Sequence, residues 1–343
     1  RRATVWEQIL FVVWFFSLSL PLPSLGPVRY VCMITMLAIF AWHNRVTVPM
    51  LIKSWPILLM PIMGVLSVLW TPYPQKAIPT SILVLLMPFF LVTIASRLRA
   101  VEFFRVMMLG GTFAVLYCIP YIPTLSEGGP YAQKNVLAYQ MMLVALISLL
   151  VALNKDEHFL LRLIATVSTG LAFTFQLLAD SATSLILVLL GSLFLVTVKA
   201  LWSPAGKVAN LRMILFSVVM IAMLIVTLII SMLPNNSLLS DFLGLVGKDS
   251  TLTGRTDIWI AAEMAAADHP WIGVGFEGFW HPDTGLAQTL NELTNTDPGT
   301  PISFHSTFWE IRVHLGFIGL GFLIFAMTWS GVRTVGLWLK DGS

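Results

Sequence analysis

The chain has few charged residues and only two cysteines. Of its 343 residues 11% are charged and 57% are hydrophobic, with a mean hydropathy of +0.85. Soluble domains carry about 25% charged residues, so this composition excludes a soluble globular protein and indicates a polytopic membrane protein. Cys32 and Cys118 lie far apart in apolar runs, which argues against a disulfide framework.

The apolar runs are long, and none shows the alternating period of a membrane β-strand. A membrane-spanning helix needs about 20 predominantly apolar residues. The sequence therefore predicts an all-α, polytopic transmembrane helical bundle of about ten spans. The predicted spans are 5–22, 28–43, 55–71, 77–96, 102–122, 135–154, 159–178, 182–202, 211–233 and 303–330. The first is expected to be a retained span, because no cleavage pattern for a signal peptide follows it.

Lysine and arginine are distributed unevenly along this bundle. With the N-terminus in the cytoplasm, all but six of the 20 fall on the cytoplasmic side, in agreement with the positive-inside rule. The exceptions are Arg29, Lys76, Lys134, Lys248, Arg255 and Arg312. The chain then divides into a bundle of nine spans over 1–233, a periplasmic loop over 234–302, and a last span with a cytoplasmic tail over 303–343. The net charge of +3 is attributed to the basic residues that this topology places in the loops, so no nucleic-acid partner is expected.

The long loop is expected to be ordered and functional. Loops of this length are usually functional or disordered, and tryptophans such as Trp259 and Trp280 argue against disorder. A capped helix is predicted to run to about Ala267, with Arg255 in its first turn. Free helix amides and a guanidinium together favour phosphate. Its apolar side could lie on the membrane surface and comprises Ile258, Ile260, Ala261 and Met264.

Gly273-Val-Gly-Phe-Glu-Gly278 matches the G-x-G-x-x-G pattern of dinucleotide-binding motifs. That motif requires a preceding strand and a following helix, whereas Phe279-Trp280-His-Pro follows here in a loop outside the cytoplasm. We expect a tight glycine turn packed by aromatic residues instead.

No metal site is predicted in the loop. The candidate ligands would be His269, His281, Asp268 and Asp283, but their spacing matches no zinc pattern. They are interpreted as solvated polar residues.

His305 and Arg312 stand at the outer mouth of the last span. Seven residues separate them, so on one helix they would share a face, with Arg312 about 10 Å deeper. An arginine within a span costs roughly 2.5–3.5 kcal/mol and normally faces a bundle interior or cavity. The pair predicts an aqueous cleft for anionic or hydroxylated ligands, with a structural polar contact as the alternative. Glu310 and His314 are expected to pair with each other.

Two further pairs of polar residues are predicted on the same outer side. Lys134 and Asn135 open the sixth span, and Asp180 and Ser181 link the seventh and eighth. Each alone would be an interfacial or turn residue. Because both pairs are predicted on the same outer side of the membrane, they favour a binding site there.

Several of these motifs carry a family resemblance over roughly residues 55–330. The chain resembles the O-antigen ligase and polysaccharide-polymerase (Wzy-type) family, and is most similar to exopolysaccharide polymerases of the succinoglycan kind. The motifs are Gln133-Lys-Asn-Val-Leu137, Asp180-Ser-Ala-Thr-Ser-Leu185, Thr251-Leu-Thr-Gly-Arg-Thr-Asp-Ile-Trp259, Gly273-Val-Gly-Phe276, His305-Ser306 and Leu315-Gly-Phe-Ile-Gly319.

The resemblance implies a metal-independent glycosyltransferase of GT-C-like fold without a cofactor, acting at the periplasmic face of the bacterial inner membrane. Such enzymes take a glycan from undecaprenyl diphosphate and pass it to a sugar hydroxyl. By the family pattern Arg255 engages the diphosphate and His305 activates or orients the acceptor hydroxyl. Many relatives have a basic residue where this chain has Ala182, so Lys134 is expected to replace that charge. Relatives often carry one or two further spans after the loop.

Chemical reasoning from the residues agrees with these roles. Cations stabilise a leaving diphosphate, and histidine is suited to accept a proton near neutral pH. Aromatic residues of the loop are expected to stack on sugars. The expected substrate-binding residues are Lys134, Asn135, Lys248, Arg312, Glu310, Asp180, Trp259 and Trp280.

The predicted function is polymerisation of lipid-linked oligosaccharide repeat units on the periplasmic face. The expected partners are the donor, a glycan acceptor, the bilayer, and proteins of chain-length control and export. One alternative is a ligase that passes glycan to lipid A core or another acceptor. A second is a non-enzymatic transporter of lipid-linked glycan. Transporters tend to place polar groups at the bilayer midplane within inverted repeats, and neither feature is seen in this sequence.

Overall fold

A computed structural model describes residues 3–131, 133–205, 255–294 and 296–341, with the single positions 211, 214 and 217. This part of the chain consists of helices and connecting turns and contains no strand. The all-α prediction is confirmed. The helices are α1 (Val5–Ser19), α2 (Gly26–Trp42), α3 (Asn44–Lys53), α4 (Pro56–Leu66), α5 (Pro74–Arg97), α6 (Ala100–Cys118), α7 (Lys134–Ala152), α8 (Phe159–Leu178), α9 (Ala182–Ala205), α10 (Arg255–Asp268), α11 (Gly285–Leu293) and α12 (Thr307–Asp341).

Six of the described helical segments are long and apolar enough to cross a membrane. They are Pro23–Trp42, Pro74–Arg97, Ala100–Glu127, Lys134–Ala152, Phe159–Leu178 and Thr307–Leu337. The number becomes seven if Asn44–Lys53 and Pro56–Leu69, bent by 85°, count as one span. The protein is a multi-pass membrane protein.

The predicted number of ten spans is not confirmed. Val5–Ser19 and Ser184–Ala200 are apolar but shorter than a full span, and the prediction at 55–71 falls on one arm of the bent pair. The predicted span at 211–233 lies largely outside the described residues.

The helices form two compact units. The first contains Arg1–Val48 and Phe90–Arg212, and the second contains Pro49–Phe89 and Met213–Ser343. In the first unit α7 packs against α6, α8 and α9, while α1 packs against α6. Glycines permit the close approach, since a Cβ on Gly110 would lie 2.8 Å from Phe15 Cβ, and one on Gly111 would lie 2.8 Å from Val144 Cγ2.

In the second unit α12 packs against α4 and α10, and α10 also contacts α11. A core formed by α10, α11, α12 and their connecting segments contains Ile258, Ala261, Ala262, Ala265, Ala266, Phe279, Trp280, Ala287, Leu290, Phe304 and Val313. The apolar side predicted for α10 is therefore divided. Ile258 and Ala261 are buried in the core, whereas Ile260 and Met264 are exposed.

Helix α12 is broken at Gly316, whose backbone is left-handed at φ 64° and ψ −164°. The segment 270–275 passes beside the break and bonds to the backbone groups that the break leaves without helical partners. Four hydrogen bonds join Val274 N to Val313 O, Gly275 N to His314 O, Phe317 N to Pro270 O and Ile318 N to Trp271 O, at 2.9, 3.0, 2.8 and 3.1 Å. The segment thus links the two halves of the helix.

Only glycine fits at the two points of closest approach. A Cβ on Gly316 would lie 2.2 Å from the carbonyl carbon of Trp271, and one on Gly273 would lie 2.4 Å from that of His314. Gly273 also has a positive φ of 67°, which favours glycine. The glycine run is a tight turn with no preceding strand, as expected.

The glycine turn is also attached to the end of the helical segment Pro56–Leu69. Phe276 N donates to Ser67 Oγ at 2.9 Å, and Thr71 Oγ1 donates to Phe276 O at 3.0 Å. The turn is therefore fixed on two sides within the second unit.

Candidate functional site

His305 lies in the turn just before α12, with an exposed side chain. Its φ is 51° and that of Ser303 is 70°, both in the left-handed region that non-glycine residues rarely adopt. His305 N donates to Ser303 Oγ at 3.1 Å. Such backbone strain persists where surrounding contacts impose it and clusters at functional sites.

Those surrounding contacts act on Phe304, which lies between the two left-handed residues. Its N–H donates to Glu310 Oε1 at 2.7 Å, and its carbonyl accepts from Trp259 Nε1 at 2.9 Å. Its ring is fully buried, with centroids 5.0 Å from those of both Phe279 and Trp280. Backbone and side chain of the preceding residue thus hold His305 at the N-terminal end of α12.

Three residues expected to bind substrate support this turn. Glu310 accepts from Phe304 N, and its Oε2 lies 3.6 Å from His314 Nε2, which is the predicted pairing. The indole N–H of Trp259 is bonded within the protein, and Trp280 is only 5% exposed. Trp280 was expected to stack on a sugar. This expectation is wrong, because a sugar cannot reach a ring face that is buried in the aromatic core.

The expectation that His305 and Arg312 share one helix face is wrong. Helix α12 begins at Thr307, so His305 lies outside it in a left-handed turn. The guanidinium carbon of Arg312 lies 4.9 Å from the ring centroid of Trp309 and 4.7 Å from that of Phe317. Contacts of a cation with aromatic faces are worth about 0.5–2 kcal/mol. They fix Arg312 in the broken region of the helix.

Arg312 also has a polar atom without a hydrogen-bond partner. Its Nε is buried, and no described residue accepts a hydrogen bond from it. A buried unpaired donor is costly unless a ligand or water satisfies it.

Arg255 is the first residue of α10, and the residues expected to cap this helix lie outside the described residues. Its side chain, and all of Lys248, lie outside the described residues. The roles expected for both remain predictions.

The polar pairs predicted at Lys134 and Asp180 come together in the first unit. Lys134 Nζ lies 3.6 Å from Asp180 Oδ2, and Ser181 Oγ donates to Asn135 Oδ1 at 3.0 Å. Lys134 is the first residue of α7, and Asp180 has a positive φ of 50° in the link between α8 and α9. The ion pair is 43% and 86% exposed, so it contributes little stability and both charges are accessible to a solute.

The histidines considered as metal ligands do not gather. Over the described ranges, no group of three or more His, Cys, Asp or Glu residues could hold a metal ion. His281 stacks on Tyr73 with centroids 3.5 Å apart, and its Nδ1 lies 3.1 Å from Asp283 Oδ2. It is thus a packed residue, where a solvated one was expected.

Ser303 and Phe304 were missed by reasoning from the sequence. Their only signal was adjacency to His305. One sequence cannot show that a serine adopts a left-handed backbone, because Glu310 and Trp259 impose it through tertiary contacts.

Comparison with known proteins supports the resemblance seen in the motifs. Residues 165–324 match the family model described as O-antigen ligase. This match covers a little less than half of the chain. It covers α8 to the broken part of α12 and includes Arg255, His305 and Gly316, but not Lys134.

A curated relative gives a second match. The chain is similar to the exopolysaccharide production protein ExoQ of Rhizobium meliloti (strain 1021), with 42% identity over 78 residues. The match covers 23% of this chain and 18% of the relative. Both matches are similarities over part of the chain.

Proposed function

We propose that the protein is an inner-membrane glycosyltransferase that polymerises undecaprenyl-diphosphate-linked oligosaccharide units on the periplasmic face. The observation that carries this proposal is the turn of Ser303, Phe304 and His305, within the segment that matches the O-antigen ligase family model. An exposed histidine is held there in a strained backbone by a carboxylate, an indole and an aromatic core. Such rigidity suits a group that must meet a reacting hydroxyl.

In the proposed reaction a sugar hydroxyl of the acceptor attacks the anomeric carbon of the donor glycan. The hydroxyl proton passes to the His305 imidazole as the new glycosidic bond forms. The bond from that carbon to the diphosphate oxygen breaks, and its electron pair leaves with undecaprenyl diphosphate. General base catalysis by a positioned histidine contributes about 10²–10⁴-fold.

Cationic side chains would stabilise the charge that develops on the diphosphate. We assign this role first to Arg255 at the start of α10, with Lys248 and Arg312 as further candidates. The contacts of the Arg312 guanidinium with Trp309 and Phe317 support its assignment, because they hold the charge in place. The mechanism needs no metal ion or cofactor if these cations suffice.

The exposed Lys134 and Asp180 pair, with Asn135 beside it, is proposed to bind substrate in the first unit. Amide, ammonium and carboxylate groups suit hydroxyl-rich and phosphorylated ligands. Lys134→Ala is expected to raise the donor concentration needed for half-maximal rate.

A ligase is the second candidate, because the matching family model is described as O-antigen ligase. It would share the donor and the chemistry but pass the glycan to lipid A core or another acceptor.

The decisive experiment uses purified protein in detergent with synthetic undecaprenyl-diphosphate oligosaccharide and no other acceptor. Release of undecaprenyl diphosphate and the glycan ladder are followed for the wild type, His305→Ala and Arg255→Ala. We expect a ladder from the wild type and a loss of at least about 100-fold in both variants. His269→Ala is the matched control, since His269 is an exposed histidine of the same unit without a proposed role.

Other outcomes separate the alternatives. A ladder unaffected by His305→Ala would refute the assigned base. Product only after addition of a core-lipid acceptor would identify a ligase. If neither acceptor gives product while lipid-linked sugar crosses liposomes, the protein is a transporter.

A further inference from the structure

Four large apolar side chains are exposed together where the glycine turn meets the broken helix. Trp271 is 67% exposed, Ile272 41%, Phe317 44% and Ile318 41%. The rings of Trp271 and Phe317 have centroids 6.0 Å apart, and Ile318 N bonds to the Trp271 carbonyl. These four residues are neighbours along the chain or across the break, and we call them the apolar patch.

The apolar patch is continuous with a membrane-spanning helix. Phe317 and Ile318 begin the second half of α12, which belongs to the candidate span Thr307–Leu337. Further along, this half also exposes Ile324, Phe325 and Met327. A span whose apolar side chains are exposed in this way faces hydrocarbon.

The sequence of α12 indicates where the membrane boundary crosses it. Residues 315–332 contain no charged or histidine residue and are flanked by His314 and Arg333. At 1.5 Å per residue this run is about 27 Å long, close to the hydrocarbon thickness of about 30 Å. One boundary therefore falls near Gly316, and the segment bonded across the break lies at that level.

Trp271 has the character expected at this boundary. Tryptophan is enriched where hydrocarbon meets the headgroups. The backbone next to it is also suited to such a place, because the carbonyls of Pro270 and Trp271 accept from Phe317 and Ile318. Backbone groups near hydrocarbon must be paired within the protein.

We propose that the apolar patch inserts into the membrane interface, with phospholipid acyl chains as its occupant. The segment 270–275 is then a re-entrant membrane anchor for the loop between α10 and α11. Because α12 is rigid up to its break, this anchor determines how far from the membrane boundary the residues before Gly316 lie. Arg312 lies about 6 Å above the boundary at 1.5 Å per residue, at the level of lipid headgroups.

This inference stands apart from the proposed chemistry and is tested without an activity assay. Single cysteines at Trp271 and Ile272 carry a nitroxide spin label in the full chain. The protein is reconstituted into vesicles of phosphatidylethanolamine and phosphatidylglycerol. Collision rates are then measured with oxygen, which enters hydrocarbon, and with a water-soluble nickel chelate.

Leu293→Cys is the matched control. Leu293 is an apolar residue at the end of α11 and is 65% exposed, beside the exposed polar residues Gln288 and Glu292. Cys32 and Cys118 are 3% and 0% exposed, so labelling of the unsubstituted protein measures a small background. All three substituted positions are exposed, so the fold should persist, which thermal unfolding checks.

We expect the ratio of oxygen to nickel collisions to be several-fold higher at positions 271 and 272 than at 293. Nickel access at 271 and 272 equal to that at 293 would overturn the proposal, because the patch would then lie in water. Exclusion of both reagents, with dipolar broadening between labels, would also overturn it, in favour of contact with a second copy.

Discussion

At the scale of single residues, His305 is positioned through its neighbour. Phe304 is bonded at its N–H by Glu310 and at its carbonyl by Trp259, and its ring is fully buried. Glu310, which was predicted to bind substrate, holds the turn through this bond. Its role in the proposed reaction is therefore that of a positioning residue.

Replacing Glu310 with alanine tests this role. The variant loses a hydrogen bond from a backbone N–H to a carboxylate, and such bonds are worth about 1.5–3 kcal/mol. We expect the rate of undecaprenyl diphosphate release to fall about tenfold or more. Glu310→Gln keeps an acceptor oxygen and should retain most of the rate.

Glu292→Ala, at an exposed carboxylate of α11 in the same unit, is the control for loss of charge. Equal losses in Glu310→Gln and Glu310→Ala, with both proteins folded, would contradict positioning through the acceptor oxygen.

At the scale of elements, the broken helix α12 and the glycine turn stabilise each other through backbone hydrogen bonds. The break exposes backbone carbonyls and amides, and the segment 270–275 bonds to them. The break therefore persists because a second segment stabilises it. The two motifs, far apart in sequence, depend on each other.

Glycine substitutions test this dependence. Gly316→Ala and Gly273→Ala each place a Cβ within 2.4 Å of backbone atoms at a positive φ. We expect each to lower the free energy of unfolding by about 3 kcal/mol, since overpacking and left-handed strain add. Thermal unfolding in detergent measures the effect.

Gly321→Ala is the matched control, because Gly321 lies in the same helix and its Cβ would have no neighbour within 4 Å. Alanine stabilises helices relative to glycine, so this variant should unfold at the same temperature or a higher one. A similar loss in all three variants would show that helix geometry, and not close approach, determines the effect.

At the scale of the whole molecule, the orientation in the membrane is still a prediction from charge. Arg105 pairs with Glu157 at 2.8 Å beside the link between α7 and α8, on the side where the positive-inside rule predicts cytoplasm. The loop between α10 and α12 is predicted on the other side.

Labelling of single cysteines in intact spheroplasts measures this orientation. Asp297→Cys, before α12, should react with a membrane-impermeant maleimide from outside. Asp156→Cys, between α7 and α8, should react only after lysis. Both positions are exposed. The reverse pattern would show that the proposed site faces the cytoplasm.

Much of this architecture is already contained in the sequence. Scarce charge and long apolar runs determine membrane helices, because hydrocarbon excludes charged and unpaired backbone groups whatever the tertiary arrangement. Helix spacing also predicted the pairing of Glu310 with His314. Lys134 and Asp180 were predicted on one side of the membrane, and the structure brings them within 3.6 Å of each other.

Only the tertiary structure decided how the site is held. Whether Trp280 is buried, whether Ser303 and His305 are left-handed, and where α12 breaks all depend on contacts between segments distant in sequence. Thr71 and Phe276, for example, are bonded across 205 positions. Hydrophobicity acts locally and can be read along the chain, whereas close approach and backbone strain exist only once the partner segment is in place.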